Sequence, residues 1–376
     1  MNPNHIRVLV VDDSALARKV ITDSLKAFPD IEVVATAVDP YVARDKILEL
    51  NPDVMTLDIE MPRMDGITFL KTVMKHRPMP VIIMSSLTSA GSQKALEALQ
   101  AGAVDVMEKP GGAYSAYADG TRLAEKIRAA AGARLTIPRG DSAPSPAPVA
   151  VKSTAGATAS RVFSRRKLIL IGASTGGTEA LRVVLGSMSG DLPGICVVQH
   201  IPAYFSKAFA DRLNQICSME VREAKNGDAV QPGLALVAPG GFHMVLRARP
   251  DGYAVELNEG PQLHHQRPAV DILFESAVKA GAAPHSVAAV LTGMGADGAA
   301  GLLHLRQAGA GTIAQNEETC VVFGMPREAI RLGGAQQVLP LPQIGPRLEQ
   351  LACAQSPGRA EQAAAPVPAQ ISRTFH

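Results

Sequence analysis

The sequence is short of cysteine, of net charge and of long apolar runs, and each shortage argues against a class of protein. Four cysteines in 376 residues, Cys196, Cys217, Cys320 and Cys353, form no C-x-x-C pair. Neither a disulfide framework nor a structural zinc site is expected, and reduced thiols are. Lys and Arg total 37 against 35 Asp and Glu, a net charge of +2, which argues against a polyanion binder working through a basic surface. No apolar run reaches the roughly 18 residues of a membrane-spanning helix. The opening Met1-Asn2-Pro3-Asn4-His5-Ile6-Arg7 carries no apolar signal segment. A cytoplasmic protein is expected, with no nucleic-acid partner and no membrane insertion.

What is present is apolar substance: 47% of residues are hydrophobic and 19% charged, enough to bury sizeable cores. At roughly 150 residues per domain the length suggests two or three domains. Residues 138–160 are 18 of 23 Pro, Ala, Ser, Thr or Gly with no apolar period. Such a stretch cannot bury enough surface to offset its ordering entropy and reads as a linker. Residues 356–376 resemble it and read as a disordered tail. The expected division is a first domain over 1–133, a linker over 134–165, a second domain over 166–355 and the tail.

Both blocks repeat one pattern. The first has short apolar runs at Val8–Val11, Glu32–Ala35, Val54–Leu57, Val81–Met84 and Val104–Met107, and the second at Leu168–Ile171, Ile195–Val198, Leu234–Val237 and Val287–Leu291. Continuous apolarity, spaced by helical segments, marks parallel strands covered on both faces. Both blocks are therefore α/β.

Open parallel sheets build sites at the carboxyl ends of their strands. In the first block Asp12 and Asp13 follow the first run, Asp58 closes the third, Ser85 and Ser86 the fourth, and Lys109, before Pro110, the fifth. A single acid there is ordinarily a cap or turn residue; three with a lysine, all at strand ends, point to a site. Clustered carboxylates repel one another unless a cation sits among them, and an all-oxygen set suits Mg²⁺. A metal-held aspartate beside a lysine can accept a phosphoryl group.

Val10-Val11-Asp12-Asp13-Ser14, Leu57-Asp58-Ile59-Glu60-Met61-Pro62, Met64-Asp65-Gly66 and Glu108-Lys109-Pro110 resemble the motifs of response-regulator receiver domains over residues 5 to about 130. The resemblance implies Asp58 as phosphoacceptor and Mg²⁺ held by Asp12, Asp13, Asp58 and the backbone carbonyl of Glu60. It also implies Ser85 as switch hydroxyl and Lys109 as counter-ion. Val106 stands where many receivers carry a switch aromatic.

In the second block Gly172-Ala173-Ser174-Thr175-Gly176-Gly177 follows an apolar run directly. A P-loop would need lysine where Thr178 stands. A dinucleotide fingerprint would need a different glycine order and an acid where Gln199-His200 ends the next strand. G-x-S-x-G fits, with a serine on a sharp strand-to-helix turn. A serine nucleophile needs a base, and the base an orienting acid. His200 closes a second buried strand, and Asp297, in Thr292-Gly293-Met294-Gly295-Ala296-Asp297-Gly298, follows a third. The order Ser, His, Asp differs from that of α/β-hydrolases. His264-His265 lies in a polar loop.

With Gln199-His200-Ile201-Pro202, Ala238-Pro239-Gly240, His243-Met244, Arg267-Pro268, Val270-Asp271 and Phe323-Gly324-Met325-Pro326, the block is similar nearly end to end to the chemotaxis protein-glutamate methylesterase family, CheB. The resemblance implies a flavodoxin-like receiver domain before a doubly wound parallel-sheet catalytic domain. It implies Ser174 as nucleophile, His200 as general base and acid, Asp297 as its orienter, and oxyanion donors in the backbone near Thr175 and Met294. Arg267 and His243 match motif positions, in structure or in substrate contact. The implied activity is demethylation of glutamyl esters and deamidation of glutamines on the cytoplasmic helices of chemoreceptors, switched on by a chemotaxis histidine kinase. The esterase reaction needs no cofactor. Two other readings are a response regulator with a DNA-binding output, weakened by a single short basic cluster at Arg165-Arg166-Lys167, and a metabolic esterase under phosphorelay control.

Overall fold

Strands without apolar alternation must be covered on both faces, and the computed structural model buries every residue of the runs at Val54–Asp58 and Val81–Ser85 between helices. It describes residues 5–85, 88–109, 116–135 and 163–354, with 89–90 and 116–119 as backbone only. The expected linker and tail fall largely outside the described residues, as do Ser86 and Pro110.

The first domain runs β1 (Ile6–Val11), α1 (Ala15–Leu25), β2 (Ile31–Ala37), α2 (Pro40–Leu50), β3 (Val54–Asp58), α3 (Gly66–His76), β4 (Val81–Ser85), α4 (Ser89–Gln100), β5 (Asp105–Glu108) and α5 (Ala116–Ala131). Its five strands lie in the order β2-β1-β3-β4-β5, all parallel. Side chains start its helices: Ser14, Asp39, Asp65 and Thr88 each accept from a backbone N–H of the following turn, satisfying groups the helix leaves unpaired.

The second domain contains β6 (Leu168–Ala173), α6 (Gly177–Gly186), β7 (Gly194–Gln199), α7 (Phe205–Ile216), β8 (Glu220–Glu223), β9 (Ala229–Val230), β10 (Leu234–Val237), β11 (His243–Arg249), β12 (Gly252–Asn258) and α8 (Val270–Lys279). It continues with β13 (Ser286–Val290), α9 (Ala299–Gln307), β14 (Gly311–Gln315), α10 (Met325–Arg331), β15 (Gln337–Leu339) and α11 (Leu341–Ala354). Seven strands form a sheet ordered β15-β14-β13-β6-β7-β10-β8, and β11, β12 and β9 form a small antiparallel sheet beside it. Helices α6, α7, α8, α9 and α10 start without a side-chain cap of their own. The N–H groups at these helix starts are therefore left for other partners.

The apolar runs mark four of the seven strands of the large sheet. Of the missed ones, β8, Glu-Val-Arg-Glu, and β15, three residues with Val338 exposed, are short edge strands, whereas β14 is a buried inner strand in which Thr312 and Gln315 interrupt the apolar run. An edge strand needs little apolar content, so composition does not mark it. The buried apolar cluster beneath β6 and β7 continues without a break into the receiver, where Leu96 and Ala98 of α4 join Phe209 and Leu213 of α7.

Candidate active site

Ser174, His200 and Asp297 meet because of sheet order. β6 lies between β7 and β13, and the three residues follow these three adjacent strands at their carboxyl ends. Backbone bonds hold the edge in register: Ser174 N–H donates to Thr292 O (3.0 Å) and His200 N–H to Ala173 O (3.0 Å). The turn at Ser174 bends through Gly176, which takes φ +76°, while Ser174 keeps ordinary backbone geometry. The sharp elbow thus loads its left-handed residue onto glycine, where it costs little. Gly293 is fixed by contact: a Cβ there would lie 2.6 Å from Ser174 Cβ and 2.4 Å from Met325 Sδ.

His200 and Asp297 form a buried pair, Nε2 to Oδ2 at 2.7 Å. Asp297 also takes the open start of α8: Val270 N–H donates to Oδ2 (2.7 Å) and Asp271 N–H to Oδ1 (2.9 Å). It is, in effect, the missing cap of that helix. Burial pushes its carboxyl up, but the His200 pairing and these N–H donors prevail and hold it below the usual range. Among the described residues no hydrogen bond joins Ser174 Oγ to His200; Nδ1 is the ring nitrogen left for the serine. Neither Thr175 N–H nor Met294 N–H has an acceptor among the described residues, and both residues line one cavity of about 260 Å³ with Ser174, His200 and Asp297.

Asp271, which sequence reasoning named only within a motif, is a second buried carboxylate behind the pair. It accepts from Gly301 N–H (2.7 Å) and faces His264 Nε2 (3.3 Å). Burial first, then the nearby Asp297 charge, push its carboxyl up. His264 and His265 sit at the middle of a tight turn closed by Leu263 and Gln266, at φ 52° and 57°, and both reach the cavity. Two adjacent left-handed non-glycine residues are rare, but no sequence pattern announces them. Arg267 and His243 lie elsewhere and tie the chain down. Arg267 donates to Glu259 O (2.8 Å) and Gly260 O (3.0 Å), and His243 links Ala269 N–H (3.2 Å) to Pro261 O (3.0 Å).

In the first domain Asp12 and Asp58 are buried at the ends of β1 and β3. Lys109 Nζ stands between them, 2.9 Å from Asp12 Oδ2 and 2.8 Å from Asp58 Oδ2. Burial outweighs this ammonium and raises the Asp58 carboxyl, while the two carboxylates outweigh burial and raise Lys109. Asp58 Oδ1 accepts from Glu60 N–H (3.1 Å), and Ser85 Oγ donates to Gly91 O (3.3 Å). Oxygens of Asp12, Asp13 and Asp58 lie within 4.8 Å of one another. Those of Asp12 and Asp58 facing Lys109 have no hydrogen-bond donor in good geometry. Such a set fits a hard divalent cation.

The domains meet over the catalytic cavity. Asp105 Oδ2, on β5, accepts Thr175 Oγ1–H (2.6 Å) and pairs with Lys126 Nζ of α5 (2.7 Å). Arg122, Glu125 and Lys126 of α5 complete the cavity lining. None of these contacts is written in either domain's motifs. The Lys126 side chain is largely withdrawn from solvent, and that desolvation lowers its ammonium despite Asp105. Arg134 N–H also donates to Val321 O (3.0 Å).

Fold and site together define a two-domain α/β protein in which the first domain packs over a cavity lined by Ser174, His200 and Asp297. Residues 8–115 match the response regulator receiver domain and residues 169–348 the CheB methylesterase domain. A protein-glutamate methylesterase/protein-glutamine glutaminase 2 of Syntrophus aciditrophicus is 54% identical over 340 residues, covering 90% of this chain and 97% of the relative. The protein-glutamate methylesterase/protein-glutamine glutaminase of Salmonella typhimurium is 49% identical over 91% of this chain and 96% of its own. The crystal structure of the Thermotoga maritima CheB methylesterase catalytic domain is 38% identical, with a TM-score of 0.48, and matches 49% of this chain and 98% of its own. The chain belongs to the CheB methylesterase family, enzymes that pair a receiver with a carboxylic ester hydrolase domain. No described helix is long and apolar enough to cross a membrane.

Proposed function

We propose that the chain demethylates glutamyl methyl esters, and deamidates glutamines, on the cytoplasmic helices of chemoreceptors by acyl transfer through Ser174. The observation that carries this reading is the His200–Asp297 pair at a cavity that also holds Ser174 and two N–H groups without acceptors. His200, held through Nε2 by Asp297, takes the Ser174 proton on Nδ1 as Oγ attacks the ester carbonyl. Asp297 stabilises the resulting imidazolium. The oxyanion is received by the N–H groups of Thr175 and Met294, each such donor contributing about 3 kcal/mol in comparable hydrolases. Methanol, or ammonia from a glutamine, leaves with the proton of His200, and water frees the glutamate.

Control comes from the receiver. Asp58 accepts the phosphoryl group from a histidine kinase; Asp12, Asp13, Asp58 and the Glu60 carbonyl would hold Mg²⁺, which supplies charge neutralisation for that transfer. Lys109 holds the phosphoryl oxygens, and Ser85 is the hydroxyl that answers them. The Asp105–Thr175 bond and the wall formed by α5 support a resting state in which the receiver obstructs the cavity. The decisive experiment is methanol release from methylated receptor membranes: Ser174→Ala lowers it at least about 10⁴-fold. Activity confined to small esters would favour a metabolic esterase instead.

A further inference from the structure

The two N–H groups left open at the cavity, those of Thr175 and Met294, are each fixed from behind. A trans peptide is planar, with its C=O and N–H pointing in opposite directions, so whatever grips the carbonyl also aims the N–H. Neither peptide concerned is cis. The Gly293 carbonyl, which shares a peptide with Met294 N–H, accepts from Gly324 N–H (3.0 Å) and Met325 N–H (2.8 Å) at the uncapped start of α10. The Ser174 carbonyl, which shares a peptide with Thr175 N–H, accepts from Gly177 N–H (2.7 Å) and from Gln199 Nε2 (2.8 Å). Gln199 ends β7, is 3% exposed, and donates from the same nitrogen to His200 O (3.2 Å). Both partners of that nitrogen are carbonyls, which fixes the orientation of the amide. Its oxygen, Oε1, is buried with no donor among the described residues. It lies against the first residue of α6, where a Cβ on Gly177 would stand 2.1 Å from it. A buried oxygen without a donor is destabilising, and a methionine would span the same space without one. Packing alone therefore does not account for a glutamine at this position.

We propose that Gln199 is a positioning residue of the acyl-transfer site: its carboxamide holds the Ser174–Thr175 peptide so that Thr175 N–H faces the developing oxyanion. This inference rests on the acyl-transfer reading of Ser174 given above and assigns the side chain that keeps one of its donors in place. Gln199 touches no reacting atom and acts through the peptide that follows the nucleophile. Without the amide, Gly177 N–H alone holds the Ser174 carbonyl, and the peptide is free to tilt. A carbonyl that accepts two hydrogen bonds also polarises its peptide and makes the opposite N–H a stronger donor. Both effects count most when charge develops on the substrate oxygen, so they belong to the transition state more than to substrate binding. On the Met294 side the same task falls to backbone N–H groups, which no substitution of a side chain removes. Gln199 is thus the point at which the oxyanion site can be loosened without altering Ser174, His200 or Asp297.

The test compares full-length wild type with Gln199→Met, both treated with a small phosphodonor. Methanol release from methylated receptor membranes is followed across pH for kcat and KM, urea melts are recorded, and Ser174 is labelled with a fluorophosphonate, which needs no receptor. The expected result is a kcat lowered about 10²-fold with KM within about twofold of wild type. The acid limb of the pH profile, set by the base, stays in place, labelling slows in parallel, and the melt changes little. A wild-type kcat, or a fall no larger than the loss of folded protein, would overturn the proposal and leave the proposed function standing. A fall accompanied by a displaced acid limb would show that Gln199 acts through His200 and would overturn it equally. Should Gln199→Met unfold, Gln199→Leu, which also lacks a donor but packs differently, carries the same comparison. Wild type that is labelled but releases no methanol would sink the receptor reading alone, and the labelling rates would still decide the role of Gln199. Wild type that does neither would sink both.

Discussion

At the scale of single residues, the catalytic edge separates two carboxylates by their surroundings. Asp297 accepts His200 and two helix N–H groups and is held low, whereas Asp271, buried against it, is pushed up. An acid raised in the folded state binds its proton more tightly there than in the unfolded chain. The associated stability is complete below the ordinary value of 3.8 and is lost as pH rises through the raised one. At neutral pH the native chain therefore holds a repelled, buried charge. Asp271→Asn keeps an oxygen for Gly301 N–H and removes that charge. It should stabilise the protein by about 1 kcal/mol near pH 7 and change little near pH 3. Urea melts at the two pH values check this; a variant less stable at neutral pH would show that the carboxylate's hydrogen bonds outweigh the repulsion.

Ser174, His200 and Asp297 were legible in the sequence because each follows a buried strand, Ser174 and Asp297 within glycine-rich loops. Asp271, His264 and Asp105 were not. Their neighbours at the site come from distant loops or from the other domain, and no local pattern registers a partner 70 residues away.

At the scale of elements, two devices place the serine. One is the order β13-β6-β7, which brings three strand ends side by side. The other is the glycine loop after β13, where Gly293 packs against Ser174 Cβ and Met325 Sδ with no room for a methyl group. Gly293→Ala should cost about 1–3 kcal/mol through overpacking and, by shifting Ser174 by a fraction of an ångström to an ångström, lower kcat by up to about 10²-fold. Thermal melts and methanol-release kinetics measured together check it: a normal kcat in a destabilised variant would show that the loop yields away from the serine. The central strands were readable as continuous apolar runs. In the second domain the edge strands β8 and β15 and the β11–β12 hairpin were not, because their residues face solvent on one side or at one end, and β14 was not, because buried Thr312 and Gln315 break its apolar run.

At the scale of the whole molecule, the Asp105 carboxylate is divided between Lys126 in its own domain and Thr175 across the boundary. Asp105→Ala leaves the Lys126 ammonium buried without its partner, a loss of about 3–5 kcal/mol in comparable pairs, and frees the Thr175 hydroxyl. The docked arrangement should weaken, resting methanol release should rise on the order of tenfold, and a small phosphodonor should add little to it. Resting and phosphodonor-treated rates, compared in wild type and variant, check this. An unchanged resting rate would show that the apolar contact between α4 and α7 holds the domains together without Asp105.

The sequence by itself determined two parallel α/β sheets, and the strand ends at which Asp12, Asp58, Lys109, Ser174, His200 and Asp297 stand. Strand burial is a local property of composition, and a residue that follows a buried parallel strand is placed by it. Only the tertiary structure decided that β6 lies between β7 and β13, that Asp297 caps α8, and that α5 of the receiver brings Glu125 and Lys126 to the catalytic cavity. Those are contacts between surfaces far apart in the chain, chosen by packing and by the pairing of buried charges, and neither quantity is encoded in any one stretch of residues.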